Sequence, residues 1–280
     1  MIRGFASLVV LATVCSIGVP ASGVTPRTAS LVPGRGSLAA PVPCPGCWEP
    51  ALRTSWQWQL QYKVDTSLDV QMYDIDGFDA TARLVKKLHA GGSHVVCYIS
   101  AGSWENWRPD KDDFPAVVLG RSNGWPGEKW LDIRRIDLLG PIMKARLRMC
   151  ARKGFDGVEF DNVDGYQNHT GFPLTGADQL RYDAFLANQA HRRGLTAFLK
   201  NDLGQIGKLL PYFDAALNEQ CFQYSECRKL KAFVEAGKPV FGVEYKLATG
   251  AFCPKANRMN FNFLKKKLEL GVWRVPCRGA

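Results

Sequence analysis

Residues 154–165 run Gly154-Phe155-Asp156-Gly157-Val158-Glu159-Phe160-Asp161-Asn162-Val163-Asp164-Gly165. The segment opens on a glycine suited to closing a helix, continues as a strand that buries Val158 and Phe160 on one face, and ends in a polar turn. The other face carries Glu159 and Asp161, with Asp156 before them and Asp164 after. Carboxylates on so short an apolar strand destabilise it unless donors, a metal or a substrate satisfy them. The segment therefore reads as the floor of an active site.

The same order of helix-closing glycine, apolar strand and polar turn recurs along the chain. Strand-like runs are expected at residues 56–60, 69–73, 94–100, 158–161, 196–200, 214–218, 240–245 and 272–275. Helical patterns lie between several of them, at 79–90, 140–153, 177–193, 225–236 and 255–270, and Gly91, Gly154, Gly194, Gly237 and Gly271 each fall just before a strand. Strand-helix alternation with buried strands implies a parallel sheet, and eight such units favour a single closed (β/α)8 TIM barrel over an open sheet. Residues 104–136, rich in Trp and Pro, read as a long loop over the barrel mouth, with Trp130-Leu131-Asp132-Ile133 as a possible extra strand.

The chain begins with a positive residue, Arg3, then an apolar run over Leu8 to Val14 and small residues at Ala21-Ser22-Gly23. Residues 1–23 thus read as a signal peptide, 24–50 as a Pro/Gly/Ser-rich linker, and 51–280 as the barrel domain. Eight cysteines remain after residue 23, an even set that suits disulfides in a secreted protein. Cys221 with Cys227, Cys253 with Cys277, and Cys44 with Cys47 as a stapled turn are the pairs that local spacing favours. The whole chain has a formal net charge of +10. No basic run interleaved with aromatics marks a nucleic-acid module, and Lys265-Lys266-Lys267, among leucines, reads as the solvated face of a helix. The expectation is a monomer with no cofactor, no nucleic-acid partner and no membrane anchor.

Active sites of such barrels lie at the C-terminal ends of the strands, and here those ends are polar. They carry Asp74 and Asp76; Tyr98; Glu159, Asp161 and Asp164; Lys200, Asn201 and Asp202; Glu219; and Glu244 with Tyr245. Turn propensity explains Asp and Asn at such places but not Glu219 and Glu244. No histidine sits at a strand end to serve a serine or cysteine nucleophile: His89 and His191 fall in helices, His169 in a loop, and His94 opens a strand at the opposite face. No calcium-loop spacing is present either. Paired carboxylates working as acid and base remain, which is the chemistry of glycoside hydrolysis. Asp161 and Glu219 lie on different strands and face one another across the mouth. Seven tryptophans between Trp48 and Trp130 offer a sugar platform.

Several motifs, in order, then resemble glycoside hydrolase family 114: Trp56 to Leu60, Tyr73 to Asp79, Cys97 to Ser103, Trp130 to Ile133, Gly154 to Tyr166, Lys200 to Asp202, Asn218 to Cys221 and Gly237 to Val240. Phe160 stands where many relatives are expected to have proline. The resemblance implies a secreted (β/α)8 endo-α-1,4-polygalactosaminidase that cuts α-1,4-linked galactosamine polymers. It also implies Asp161 as nucleophile and Glu219 as acid/base in a retaining mechanism. Galactosamine carries an ammonium group, so Asp74, Asp76, Glu159, Asp164, Asp202 and Glu244 are expected to pair with substrate amines while Tyr98, Lys200, Asn201 and Tyr245 orient hydroxyls. The partner is then a cationic galactosamine-containing polysaccharide. Three alternatives stand beside this reading: a glycan-binding barrel without catalysis, a structural or wall-associated protein that uses its basic surface, and a hydrolase of another α-linked hexosamine or galactose polysaccharide.

Overall fold

A computed structural model describes residues 38–279. The expected signal peptide, and the linker up to residue 37, lie outside the described residues. The strands are β1 (Trp56–Gln59), β2 (Met72–Asp76), β3 (His94–Ser100), β4 (Ser103–Glu105), β5 (Leu119–Ser122), β6 (Glu128–Leu131), β7 (Gly157–Asp161), β8 (Thr196–Lys200), β9 (Ala215–Glu219), β10 (Val240–Glu244), β11 (Asn262–Lys265) and β12 (Val275–Pro276). The helices are α1 (Ala82–Ala90), α2 (Ile136–Lys153), α3 (Gly176–His191), α4 (Ile206–Leu209), α5 (Lys231–Glu235) and α6 (Thr249–Arg258).

Eight parallel strands run in the order β1-β2-β3-β7-β8-β9-β10-β11, and β12 adds antiparallel to β11. This is a TIM barrel. Side chains link its first and last parallel strands: Trp56 Nε1 donates to Asn262 O at 3.0 Å, and Lys266 Nζ to Gln57 Oε1 at 3.2 Å. Two-residue alternation sorts the strand residues. Trp56, Trp58, Met72, Val96, Phe198, Leu217, Phe241 and Leu264 fill the barrel interior, whereas Ile75, Val95, Ile99, Val158, Phe160, Leu199 and Phe263 pack outward in the larger core shared with the helices. Gly242 is required here, because a Cβ at that position would lie 2.2 Å from the Phe263 ring.

Helix ends follow their sequence signals. Thr175 and Asp178 form a reciprocal capping box on α3, and Gly154 closes α2 at φ 89°. Three expected disulfides are present, Cys44–Cys47, Cys221–Cys227 and Cys253–Cys277. The fourth, Cys97–Cys150, ties β3 to α2.

Several elements differ from the expectation. The eighth barrel strand is β11, not residues 272–275, and it cuts through the expected helix 255–270. The helix stops because Asn260 takes a left-handed φ of 60°, after which Phe263 joins Phe222, Phe252 and Phe261 in an aromatic cluster. Lys266 is consequently buried and donates to Gly271 O, while Lys265 donates to Tyr245 O and Leu247 O. These lysines satisfy loop carbonyls and do not form a solvated helix face. The second strand begins at Met72 and places Asp74 and Asp76 within it. The residue 104–136 excursion contains β5, β6 and the end of β4, a three-stranded antiparallel sheet. Finally, residues 38–50 are packed: Val42 N and Ala40 O both bond the Asn188 amide, Tyr212 donates to Ala39 O, and Trp48 stacks on His94 with centroids 4.3 Å apart.

Candidate active site

Asp161, Lys200 and Glu219 end β7, β8 and β9, with side chains directed into the mouth. Each is followed by a left-handed residue, Asn162 at φ 62°, Asn201 at φ 50° and Gln220 at φ 62°. Such backbone is costly for residues other than glycine, by about 1–3 kcal/mol each, and it turns the chain sharply away so that the preceding side chain stands clear. Gly102 permits the turn after β7, since a Cβ there would lie 1.7 Å from Asn162 O.

Lys200 is the hub. Its Nζ lies 2.9 Å from Asp161 Oδ1, 2.9 Å from Glu159 Oε1 and 3.2 Å from Glu219 Oε2, and 4.6 Å from the centroid of the Trp58 ring. The Asp161 and Glu219 oxygens that flank Lys200 are thus at most about 6.1 Å apart, the sum of the two legs. Tyr98 Oη donates to Asp161 Oδ2 at 2.8 Å, and Tyr245 Oη donates to Glu219 Oε1. Burial alone raises Asp161, but the Lys200 charge and the bonds from Lys200, Tyr98 and Asn162 N hold it below the usual carboxylate range. Asp161 is therefore held ionised and oriented. The three carboxylates around it push Lys200 well above its ordinary value despite burial.

The remaining expected residues divide by position. Asp74 and Glu159 are fully buried beneath Lys200. Burial lifts Asp74 well above the carboxylate range, and the charge of neighbouring Glu159 adds to this. Neither reaches the cleft, and the expected contact with substrate amines does not hold for them. Glu244 is also fully buried, on the outward face of β10, where Oε1 accepts from Phe222 N at 2.8 Å and Gln223 N at 3.3 Å and fixes the loop after Glu219. Asp76 lines the cleft but is gripped by Arg108 through two bonds of 2.9 and 2.7 Å. Asn201 Oδ1 accepts from Glu219 N at 3.0 Å and Asn218 Nδ2 at 3.1 Å, which braces β9. Asp202 is almost fully buried, and burial raises it to about 8. Asp164 faces the cleft and has no cation in contact among the described residues; burial, then the Asp161 charge, raises it to about 6.

Two hollows of about 370 and 380 Å³ meet at Trp125, Glu219, Tyr245 and Leu268, which line both. One contains Asp161, Asn162, Lys200 and Tyr98; the other contains Asp164, Asn201, Asp202 and Tyr224. Together they are lined by ten Asp and Glu against three Lys and Arg, so the mouth is acidic although the chain as a whole is basic. Of the seven expected platform tryptophans, only Trp107 (52 % exposed) and Trp125 (53 %) stand open to solvent along the cleft, joined by Tyr62. Trp56 fills the barrel interior, Trp58 forms the floor and Trp48 packs on His94.

Sequence reasoning missed Arg108, Glu105 and Glu128, all contributed by the excursion between β3 and α2. Arg108 bridges Asp76 and Glu105, at 2.7 Å to each. Glu128 Oε2 accepts from Ser103 Oγ at 2.7 Å, Ser103 Oγ bonds Ser100 Oγ at 2.7 Å, and Ser100 Oγ accepts from Asn162 Nδ2 at 3.0 Å, a chain that ends beside Asp161. The only signal for these residues was the density of charge and aromatics in that stretch.

Two carboxylates that converge at the C-terminal rim of a (β/α)8 barrel, in an acidic cleft edged by exposed aromatic rings, define a glycoside hydrolase. The chain belongs to glycoside-hydrolase family GH114, whose model matches residues 39–280. It is similar to Aspergillus fumigatus Ega3, solved in complex with galactosamine, at 41 % identity and TM-score 0.79, over 86 % of this chain and 100 % of that one. The glycoside hydrolase domain of PelA from Pseudomonas aeruginosa shares the fold at 16 % identity and TM-score 0.64, over 79 % of this chain and 97 % of that one. An uncharacterized protein of Deinococcus radiodurans is 28 % identical over 76 % of this chain and 81 % of its own length.

Proposed function

We propose that the protein is an endo-acting hydrolase of α-1,4-linked galactosamine polymers, with Asp161 as nucleophile and Glu219 as acid/base in a retaining mechanism. The observation that carries this is the shared contact of both carboxylates with Lys200, which limits their facing oxygens to at most about 6.1 Å. Retaining glycosidases hold the pair about 5–5.5 Å apart, and inverting ones about 6.5–9.5 Å to admit a water. Asp161 attacks the anomeric carbon while Glu219 protonates the departing glycosidic oxygen. Glu219 then deprotonates the water that releases the glycosyl-enzyme ester, so the proton it donated is restored.

Substrate class and cleavage mode rest on the cleft. Asp164, without an internal cation, is placed to pair with an ammonium on the sugar, and an ammonium there favours its ionised form. Trp107 and Trp125 offer faces for sugar rings. Because hollows extend to both sides of Glu219, a chain has room on either side of the scissile bond, which favours internal cleavage. The resemblance to a protein that binds galactosamine points to the same sugar. An exported enzyme is consistent with four disulfides, and no helix among the described residues is long and apolar enough to cross a membrane.

The test is reducing-end release from partly deacetylated α-1,4-galactosamine polymer, with Asp161→Asn and Glu219→Gln as controls. Release by the wild type alone, with oligomers as early products, supports the proposal. Release only from fully acetylated or neutral galactose polymers would move the assignment to another α-linked glycan.

A further inference from the structure

Away from the acidic mouth, three arginines gather around one cavity. A cavity of about 210 Å³ opens where β1 and β11 begin, at the end of the barrel opposite the mouth, with the C-terminal segment of β12 as its third side. Arg53, Arg274 and Arg278 line it, and Trp56, Phe263 and Pro276 form its apolar wall. No Asp or Glu lines the cavity. Among the described residues no carboxylate lies within 4.0 Å of any of the three guanidiniums.

The three cations are also crowded. Arg53 Nε and Arg278 Nη2 donate to one oxygen, Asn260 Oδ1, at 3.0 Å each, so these two groups lie within about 6 Å of one another. Arg274 has no hydrogen bond to the chain among the described residues and keeps its full donor fork. Burial pushes Arg274 below its ordinary value, and burial followed by the Arg53 charge does the same to Arg278. Like charges gathered in a partly desolvated pocket oppose folding unless an anion completes the set. Guanidinium forks match the paired oxygens of a phosphate or carboxylate.

We propose that this seam pocket binds an oxyanion, a phosphate or carboxylate group. The apolar wall of Trp56, Phe263 and Pro276 accommodates the organic part of the molecule that carries it. The pocket shares no lining residue with the cleft, so its occupant is a second ligand and not part of the cleaved polymer.

The test is thermal unfolding of the full chain at fixed ionic strength, titrating sodium chloride against inorganic phosphate and, in a second arm, acetate. The Arg274→Gln and Arg53→Gln/Arg274→Gln variants run beside the wild type. Arg274 is chosen because its loss breaks no internal bond. The expected result is a saturable rise in Tm for the wild type with phosphate or acetate, about tenfold weaker in apparent affinity in the double variant. In dilute chloride the Arg274→Gln variant is expected to match or exceed the wild-type Tm, because like-charge repulsion is relieved without loss of an internal bond, and glycan cleavage stays unchanged in both variants. A response to phosphate alone assigns phosphates, and a response to both assigns oxyanions generally. Equal Tm shifts in wild type and variants, or no shift beyond chloride, would overturn the proposal. So would an Arg274→Gln variant that is destabilised in dilute chloride, because Arg274 would then act only as a structural group.

Discussion

Replacing Lys200 with methionine keeps much of its volume and removes the one cation shared by Glu159, Asp161 and Glu219. Breaking a buried ion pair on one side costs about 3–5 kcal/mol, because the partner charge is left uncompensated. Here the loss depends on pH, since Glu159 can take up a proton. Burial already raises Glu159 against the opposing charge of Lys200, and without that charge its folded-state pKa rises further above the unfolded value of about 4.3. A carboxyl group raised in the folded state keeps its stability at low pH and loses it as pH rises through the two values. The variant is therefore expected to lie close to the wild type near about pH 4.5 and to fall about 3–5 kcal/mol below it near about pH 7.5. Asp161 loses the charge that holds it low, so the acid limb of kcat/KM moves to higher pH. Urea unfolding at the two pH values, with a pH profile of polymer cleavage, reads both effects. A deficit of equal size at both pH values, or an acid limb that does not move, would refute this reasoning.

Glu219→Gln removes the proposed proton donor and is expected to lower kcat by about 10²–10⁴-fold on polymer; azide, which needs no general base to attack the glycosyl-enzyme, should restore turnover on a substrate with a good leaving group. Asp202, raised to about 8 by burial, binds a proton in the folded state that the unfolded chain releases near about pH 4. Its contribution is thus present at low pH and lost between about pH 4 and 8, so Asp202→Asn should flatten the fall in Tm across that window; a variant with the wild-type slope would contradict this. Trp125→Ala strips an exposed ring from the junction of the two hollows, with an expected rise in KM of about 2–10-fold and little change in kcat. An unchanged KM in steady-state assays would remove Trp125 from the platform.

The barrel was legible because its signals are local and repeated. Gly154 closes α2 where a left-handed residue is needed, and Val158 and Phe160 alternate with Glu159 and Asp161 as a half-polar strand requires. The convergence of Asp161 and Glu219 at the mouth was legible because an acid at the end of a buried strand has few structural uses. Local pattern failed at β11, where Phe261 to Leu268 suits helical spacing as well as alternation and long-range packing of Phe263 decides the outcome. It also failed to separate acids that face the cleft from acids beneath or behind it. Asp74 and Asp161 share the inward face, but Asp74 sits lower, covered by Glu159 and Lys200. Glu244 points away from the mouth altogether, a matter of strand parity at one residue. Arg108 and Glu128 arrive on an irregular excursion whose path no periodicity describes.

In the proposed mechanism Asp161 attacks the anomeric carbon and Glu219 serves as acid and then base, with their facing oxygens at most about 6.1 Å apart. The most direct measurement is proton NMR of the anomeric signals in the first minutes of hydrolysis of a defined α-1,4-galactosamine oligomer, before mutarotation mixes them. A retaining mechanism requires the α anomer as the first-formed product, with the β anomer growing only later. First formation of the β anomer would mean single-step displacement by water and would contradict the assignment of both carboxylates.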